Sequence, residues 1–187
     1  MPTNDYLENN NSYSKTVKDV RTDRIEVEVG DTKQPSKFYP QVKLMRWDNE
    51  VNFSARLKDE TVASETVSKD TNIVYKKGNI TANFYELPVS KELPEGGYEF
   101  EIDLASKPLT NKIEFTIQTK GLNFFYQPEL TEKEKLLFVR RPENIVGSYA
   151  VYYKNCPPNF VGGKEYKSGK AFHIYRPKIS DNEENWV

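Results

Sequence analysis

The sequence predicts an all-β protein, an antiparallel β-sandwich of jelly-roll type with a flexible N-terminal arm and one short helix. Three observations carry that expectation. Apolar residues recur at every second position over long stretches: Tyr98, Phe100, Ile102 and Leu104 alternate with Glu99, Glu101 and Asp103, while Ile113, Phe115 and Ile117 alternate with Lys112, Glu114, Thr116 and Gln118. A period of two puts one set of side chains on a buried face and the other in water. Short runs of this kind are divided by turn signals at intervals of about eight to twelve residues, as in sandwiches and barrels. Helical periodicity, by contrast, is scarce. The two alternating runs flank a short link containing Pro108 and Asn111, so they read as an antiparallel hairpin with Phe100, Ile102, Phe115 and Ile117 facing inward.

Taken in order, residues 1–22 are polar, without a sustained period, and read as a flexible arm; residues 23–187 read as a single β-sandwich domain. Ile25–Val29 alternates and ends at Gly30-Asp31. Gln34-Pro35-Ser36 marks a turn and Phe38-Tyr39-Pro40 a strand entry. Val42–Trp47 and Val51–Leu57 flank the tight turn Asp48-Asn49-Glu50. Residues 59–72 are polar and read as a long loop. Ile73-Val74-Tyr75 and Ile80–Leu87 enclose the turn Lys76-Lys77-Gly78-Asn79. The one helix signal is Thr131-Glu132-Lys133-Glu134, a capping box in which Thr131 caps and Glu134 reaches back. In the last third, Tyr149, Val151 and Tyr153 alternate, Asn155–Asn159 is irregular, and Ala171–Arg176 is a strand closed by Pro177. Trp186-Val187 reads as the start of a strand, either a short edge or the continuation into a longer polypeptide of which this is the N-terminal module.

Composition narrows the function. The apolar share is 36% and the charged share 29%, yet 13% of residues are aromatic, which belongs to a folded core of large rings rather than to a disordered chain. A net charge of −1 argues against nucleic acid and anionic membranes as partners. The first residues have neither a basic nor an apolar segment of a Sec signal, and no run is long enough for a membrane-spanning helix. The expectation is synthesis in a cytoplasm and action in a virion or extracellular assembly reached by another route.

Candidate chemistry is sparse. Cys156 is the only cysteine, so no disulfide forms within the chain and no thiolate metal site is available; its loop offers nothing that lowers a thiol pKa, and an inert thiol is the favoured reading. His173, the only histidine, lies between Phe172 and Ile174 in a strand, where a neighbour satisfying its ring is favoured over a catalytic base. No metal site, cofactor or phosphate-binding glycine loop is expected. Glu99, Glu101, Asp103 and Glu114 could be drawn as a glycosidase pair, but pairing with Lys112 and Lys120 across strands explains them more simply. The least ordinary signal is a set of aromatics with polar heads: Tyr126, Tyr149, Tyr152, Tyr175 and Arg176, with Tyr153 and Tyr166 nearby. Such residues suit either a protein interface or stacking on a sugar ring, the interface being favoured.

The segments 111–117, 121–131, 141–152 and 169–177, among them Gly121-Leu122-Asn123-Phe124-Phe125-Tyr126-Gln127-Pro128 and Gly169-Lys170-Ala171-Phe172-His173-Ile174-Tyr175-Arg176-Pro177, resemble a pattern in uncharacterised phage and prophage-type proteins, over roughly residues 84–187. The resemblance implies a virion-associated or surface structural protein and assigns a role to no residue. Together these readings lead to the expectation of a non-enzymatic structural protein, a phage virion or surface-appendage component, with no catalytic residue. It would assemble as a homo-oligomer and with other virion or surface proteins through Tyr126, Tyr149, Tyr152, Tyr175 and Arg176. The alternative is a β-sandwich module that binds a carbohydrate or receptor.

Overall fold

The computed structural model describes residues 6–18, 24–58, 63–91, 93–94, 96–110 and 112–181. The first and last residues of the expected arm, 1–5 and 19–22, and the expected terminal strand at Trp186-Val187 lie outside them. The fold is all-β and antiparallel, as alternation predicts. The chain divides into two compact units, residues 1–120 and 121–187, where the sequence suggests one domain over 23–187. The physical reason is pairing: every sheet draws its strands from one unit alone.

In the first unit the strands are β1 (Leu7–Asn9), β2 (Ser12–Lys18), β3 (Arg24–Gly30), β4 (Gln41–Arg46), β5 (Val51–Leu57), β6 (Glu65–Lys69), β7 (Ile73–Lys77), β8 (Ile80–Leu87), β9 (Gly97–Leu104) and β10 (Phe115–Lys120). They form a six-stranded sheet, β1-β2-β3-β4-β5-β10, and a four-stranded sheet, β6-β7-β8-β9. Each is essentially a meander, with β6–β9 inserted between β5 and β10. The order lacks the interleaving of strands between sheets that the expected jelly roll would have.

Both sheets feed one core: Tyr13, Val27, Val29 and Val42 from the first meet Ile73, Tyr75, Ala82 and Phe84 from the second, with Tyr6 and Phe38 from the flanking chain. Phe38 links the layers, its ring 6.3 Å from Tyr13 of the first sheet and 5.5 Å from Tyr75 of the second. Burying each such side chain fully stabilises by about 1.5–3 kcal/mol, so large rings let a chain of modest apolar content close a core.

Two expectations are corrected here. Residues 7–18 are not an arm: β1 and β2 form a hairpin across Asn10-Asn11, with Asn10 at φ 52°, and β2 pairs with β3 along its whole length. Tyr6 and Tyr13 are buried. The Tyr6 hydroxyl meets that of Tyr98 in β9, and Lys69 Nζ donates to the Tyr6 carbonyl at 3.2 Å. Lys15 hides the period. It sits opposite Val27, where an apolar residue would be expected, and its ammonium is satisfied by Glu86 while lying 5.2 Å from the Tyr6 ring. A lysine that buries its stem and pairs its head is invisible to an apolar count.

The second correction concerns the hairpin expected of the two alternating runs. β9 pairs with β8, from Ile80 opposite Leu104 to Leu87 opposite Gly97, and β10 pairs with β5. The runs therefore belong to different sheets. They touch face to face instead of side by side, through the rings of Phe100 and Phe115, 5.4 Å apart and nearly perpendicular. Period two assigns faces but not neighbours: Phe115 and Ile117 are on the inner face as expected, but β10 lies at a sheet edge, which leaves them 41% and 50% exposed. The loop expected at 59–72 likewise contains β6.

The second unit contains β11 (Leu122–Tyr126), α1 (Glu132–Leu136), a single 3₁₀ turn at Glu143–Ile145, β12 (Tyr149–Tyr153), β13 (Asn159–Val161), β14 (Lys164–Tyr166) and β15 (Lys170–Ile174). β11-β12-β15 form a three-stranded sheet, with a bulge between Val151 and Tyr152 opposite β15; β13 and β14 form a separate hairpin across Gly162-Gly163. Both of those glycines have positive φ, the conformation a two-residue hairpin loop asks for. Leu122, Ala150, Val151, Ala171 and Phe172 are buried.

Candidate functional site

The aromatic residues singled out in the sequence lie in the second unit, and the pairing of its sheet sorts them. Tyr126 faces Tyr149 across β11 and β12, and Tyr149 faces Ile174 of β15. Their tyrosine rings are 5.3 Å apart, tilted by 53°, and both are exposed. Tyr152 has the opposite parity in β12: its ring packs edge-on against Phe125 at 5.6 Å, and Lys167 Nζ caps Phe125 from 3.9 Å. Tyr175 follows β15 and packs on His173 at 4.6 Å, again with the opposite parity to Tyr149. The stem of Arg176 runs over Gly147, whose φ of 81° and lack of Cβ allow Cδ to approach. The set thus splits between two faces, Tyr126 and Tyr149 on one, Tyr152 and Tyr175 on the other. The structure does not gather them into one platform.

His173 faces Ser148, whose Oγ is 2.7 Å from Nε2. Ser148 is fully buried, and its hydroxyl donates to the Ile145 carbonyl at 2.6 Å. The contact braces β15 against the turn before β12, where the Ile145 carbonyl also takes the Ser148 N–H at 3.1 Å; which of Oγ and Nε2 donates follows the tautomer of His173. Burial, helped by the nearby Lys170 charge, lowers the His173 pKa. Cys156 Sγ lies 3.1 Å from Ser168 Oγ and close against Gly169.

The carboxylates differ from the expected lysine pairing. Glu101 and Asp103 of β9 accept from Asn83 Nδ2 of β8 at 3.4 and 2.9 Å, and Glu101 also accepts from the Tyr85 hydroxyl at 3.4 Å. Burial, then Glu101 and Glu99, raise the Tyr85 pKa. Glu114 belongs to the other sheet and lies 3.5 Å from Lys58. Among the described residues no group of three His, Cys, Asp or Glu side chains is placed to hold a metal ion.

A cleft of about 190 Å³ in the first unit is floored by Phe38, Leu57 and Tyr75 and rimmed by Lys37, Arg56, Lys58 and Lys77, with Glu65 the one acid. Two of its cations are engaged: Arg56 lies over the Tyr39 ring at 4.4 Å and binds Asp31 and Gln41, and Lys37 Nζ lies 4.8 Å from the same ring. Burial alone would raise the Asp31 pKa, but hydrogen bonds from Lys33 N–H, Gln34 and Arg56 outweigh it and hold the carboxyl below its usual range.

What sequence reasoning missed lies at the end of α1. The capping box forms as predicted, Thr131 accepting from Glu134 N–H and Glu134 accepting from Thr131 N–H at 2.8 Å, and this holds the exposed Glu134 carboxyl below its usual pKa. The C-terminal end closes as a Schellman motif: Val139 N–H donates to Glu134 C=O at 3.1 Å, and Phe138 N–H to Lys135 C=O at 3.0 Å. Phe138 occupies the left-handed position with φ 56°, where glycine normally stands. From there Leu136, Leu137, Phe138 and Val139 all project outward, Phe138 90% exposed. Lys133, Lys135 and Arg140 flank the run, and Arg141 ties its far end back by donating to the Pro128 carbonyl.

Comparison with protein-family models, with curated proteins and with solved structures finds no significant match.

Proposed function

We propose that this is a non-catalytic structural protein that acts by assembling with other protein surfaces, and that the turn Leu136–Val139 is one of its contact points. The observation that carries the reading is four consecutive apolar side chains held in water on a doubly capped turn. Exposed apolar runs of this kind favour aggregation unless a partner covers them. Keeping phenylalanine at a left-handed position adds about 1–2 kcal/mol of backbone cost, so the ring is presented at some expense to stability. The partner surface that fits is an apolar groove with an acidic rim, to match the flanking cations. A virion or surface appendage, as the sequence resemblance implies, is the kind of particle such a protein would serve.

Light scattering across a concentration series tests this. The native chain should grow into species larger than a dimer, and Leu137→Ser combined with Phe138→Gly should suppress that growth. A chain that never exceeds a dimer would overturn the reading.

A second reading, a carbohydrate-binding module, draws on the exposed rings of Tyr126 and Tyr149. It predicts glycan-array binding that Tyr126→Ala abolishes, with no requirement for Phe138. The tilt of 53° between those rings makes a poor flat platform, which favours assembly.

A further inference from the structure

We infer that β10 is a self-complementary edge through which two copies of this chain pair, antiparallel, about a two-fold axis at Ile117. β10 is the last strand of its sheet, and all six of its residues are exposed. Edge strands are usually protected by charge, proline or a bulge. The edge strand β9 carries Glu99, Glu101 and Asp103 along its length, whereas β6, like β10, has its charges only at the ends, Glu65 and Lys69 there, Glu114 and Lys120 here. Phe115-Thr116-Ile117-Gln118-Thr119 carries no charge, no proline and no glycine.

The register follows from the ladder. Lys58 N–H donates to Glu114 C=O at 2.9 Å, so Glu114, Thr116, Gln118 and Lys120 turn their backbone groups towards β5. Phe115, Ile117 and Thr119 therefore direct theirs to the open side. Pairing those three with a second copy places Ile117 opposite the partner's Ile117 and Phe115 opposite the partner's Thr119, giving roughly six backbone hydrogen bonds, two per facing pair. Side chains then match on both faces. On the outer face Thr116 meets the partner's Gln118, and Glu114 meets the partner's Lys120, twice by symmetry. On the inner face the row that runs Val42, Ala55, Ile117 continues into the second copy.

Neighbouring registers are poorer. Sliding by two residues either way loses both Glu114–Lys120 pairs: one shift carries Lys120 towards the partner's Lys112, like charge to like, and the other carries Glu114 past the end of the partner's β10 at Lys120. The chemistry of the edge thus selects one alignment, and the occupant it fits is a second copy of this chain.

This inference rests on the assembly reading and names one of its contacts, and charge reversal tests it on the full-length chain by sedimentation equilibrium. Glu114→Lys and Lys120→Glu should each weaken the dimer by about tenfold, since each turns two attractive cross-strand pairs into repulsive ones, and the double variant should return affinity to within about threefold. Ile117→Lys, at a half-exposed site that leaves the core intact, should give a monomer. A dimer indifferent to all these changes, or failure of the double variant to restore it, would overturn the inference. A dimer that obeys them without larger species forming would overturn the role of Leu136–Val139 and leave this contact standing. Larger species lost only with Phe138→Gly, and no charge-swap effect, would do the reverse.

Discussion

The two units solve the same problem with different means. The first closes a core by setting a six-stranded sheet against a four-stranded one, so that Phe84, Tyr75, Val27 and Val29 lose essentially all contact with water. The second has a three-stranded sheet and a detached hairpin, and it leaves Phe160, Val161 and the whole run Leu136–Val139 exposed. Where the first relies on apolar area, the second relies on local hydrogen bonding: the Ser148–His173 brace, the capping box, the Schellman turn. A core held by area tolerates little trimming of its side chains. A unit held by local braces should respond to the loss of single polar atoms and to pH.

The largest expected effect follows in the first unit. Phe84→Ala removes a fully buried ring that touches Phe38 and Phe100, and it should cost about 3–5 kcal/mol, read as a fall in the denaturation midpoint. In the second unit a single oxygen should matter almost as much. Ser148→Ala leaves His173 Nε2 without its partner and takes from the Ile145 carbonyl one of its two donors, the Ser148 N–H remaining, a cost of about 1–3 kcal/mol by chemical denaturation; an effect near zero would mean that the brace is ornamental and that the two units differ less in how they are held. Phe138→Gly should go the other way and stabilise by about 1 kcal/mol, because glycine accepts the left-handed backbone without strain, while assembly declines. Thr131→Ala should cost about 1 kcal/mol of local helix stability, seen as faster amide exchange at Glu134.

The smallest effect is a pH slope. His173 has a lowered folded pKa, so below the ordinary histidine value of 6.5 the unfolded chain takes up a proton that the folded chain refuses. Stability is full above that value and falls as pH drops through the window between it and the lowered one. His173→Gln should flatten that part of the profile.

The fold class was legible because period two survives in single strands: β5, β8, β9 and β10 stand where alternation puts them. Strand neighbours were not, since the link between β9 and β10 reads like a hairpin whether or not the flanking strands pair. β2 was hidden by one residue, Lys15, whose charge is satisfied by a partner distant in sequence, Glu86. The candidate site was legible in part. Thr131 and Glu134 announced the start of α1, but Leu136-Leu137-Phe138-Val139 reads as ordinary core until its exposure is seen. The tyrosines were identified as polar-headed aromatics, yet only register reveals that Tyr152 and Tyr175 turn away from Tyr126 and Tyr149.

The docking of the N-terminal hairpin has a practical side. Cutting the chain at residue 23, where polarity alone would place the start of the folded region, would delete Tyr6 and Tyr13 and leave Glu86 without its counter-charge. It would also bare the long side of β3, so that a shortened protein prepared for convenience would carry a fresh sticky flank. Misbehaviour of such a fragment would then report on the scissors, not on the native molecule.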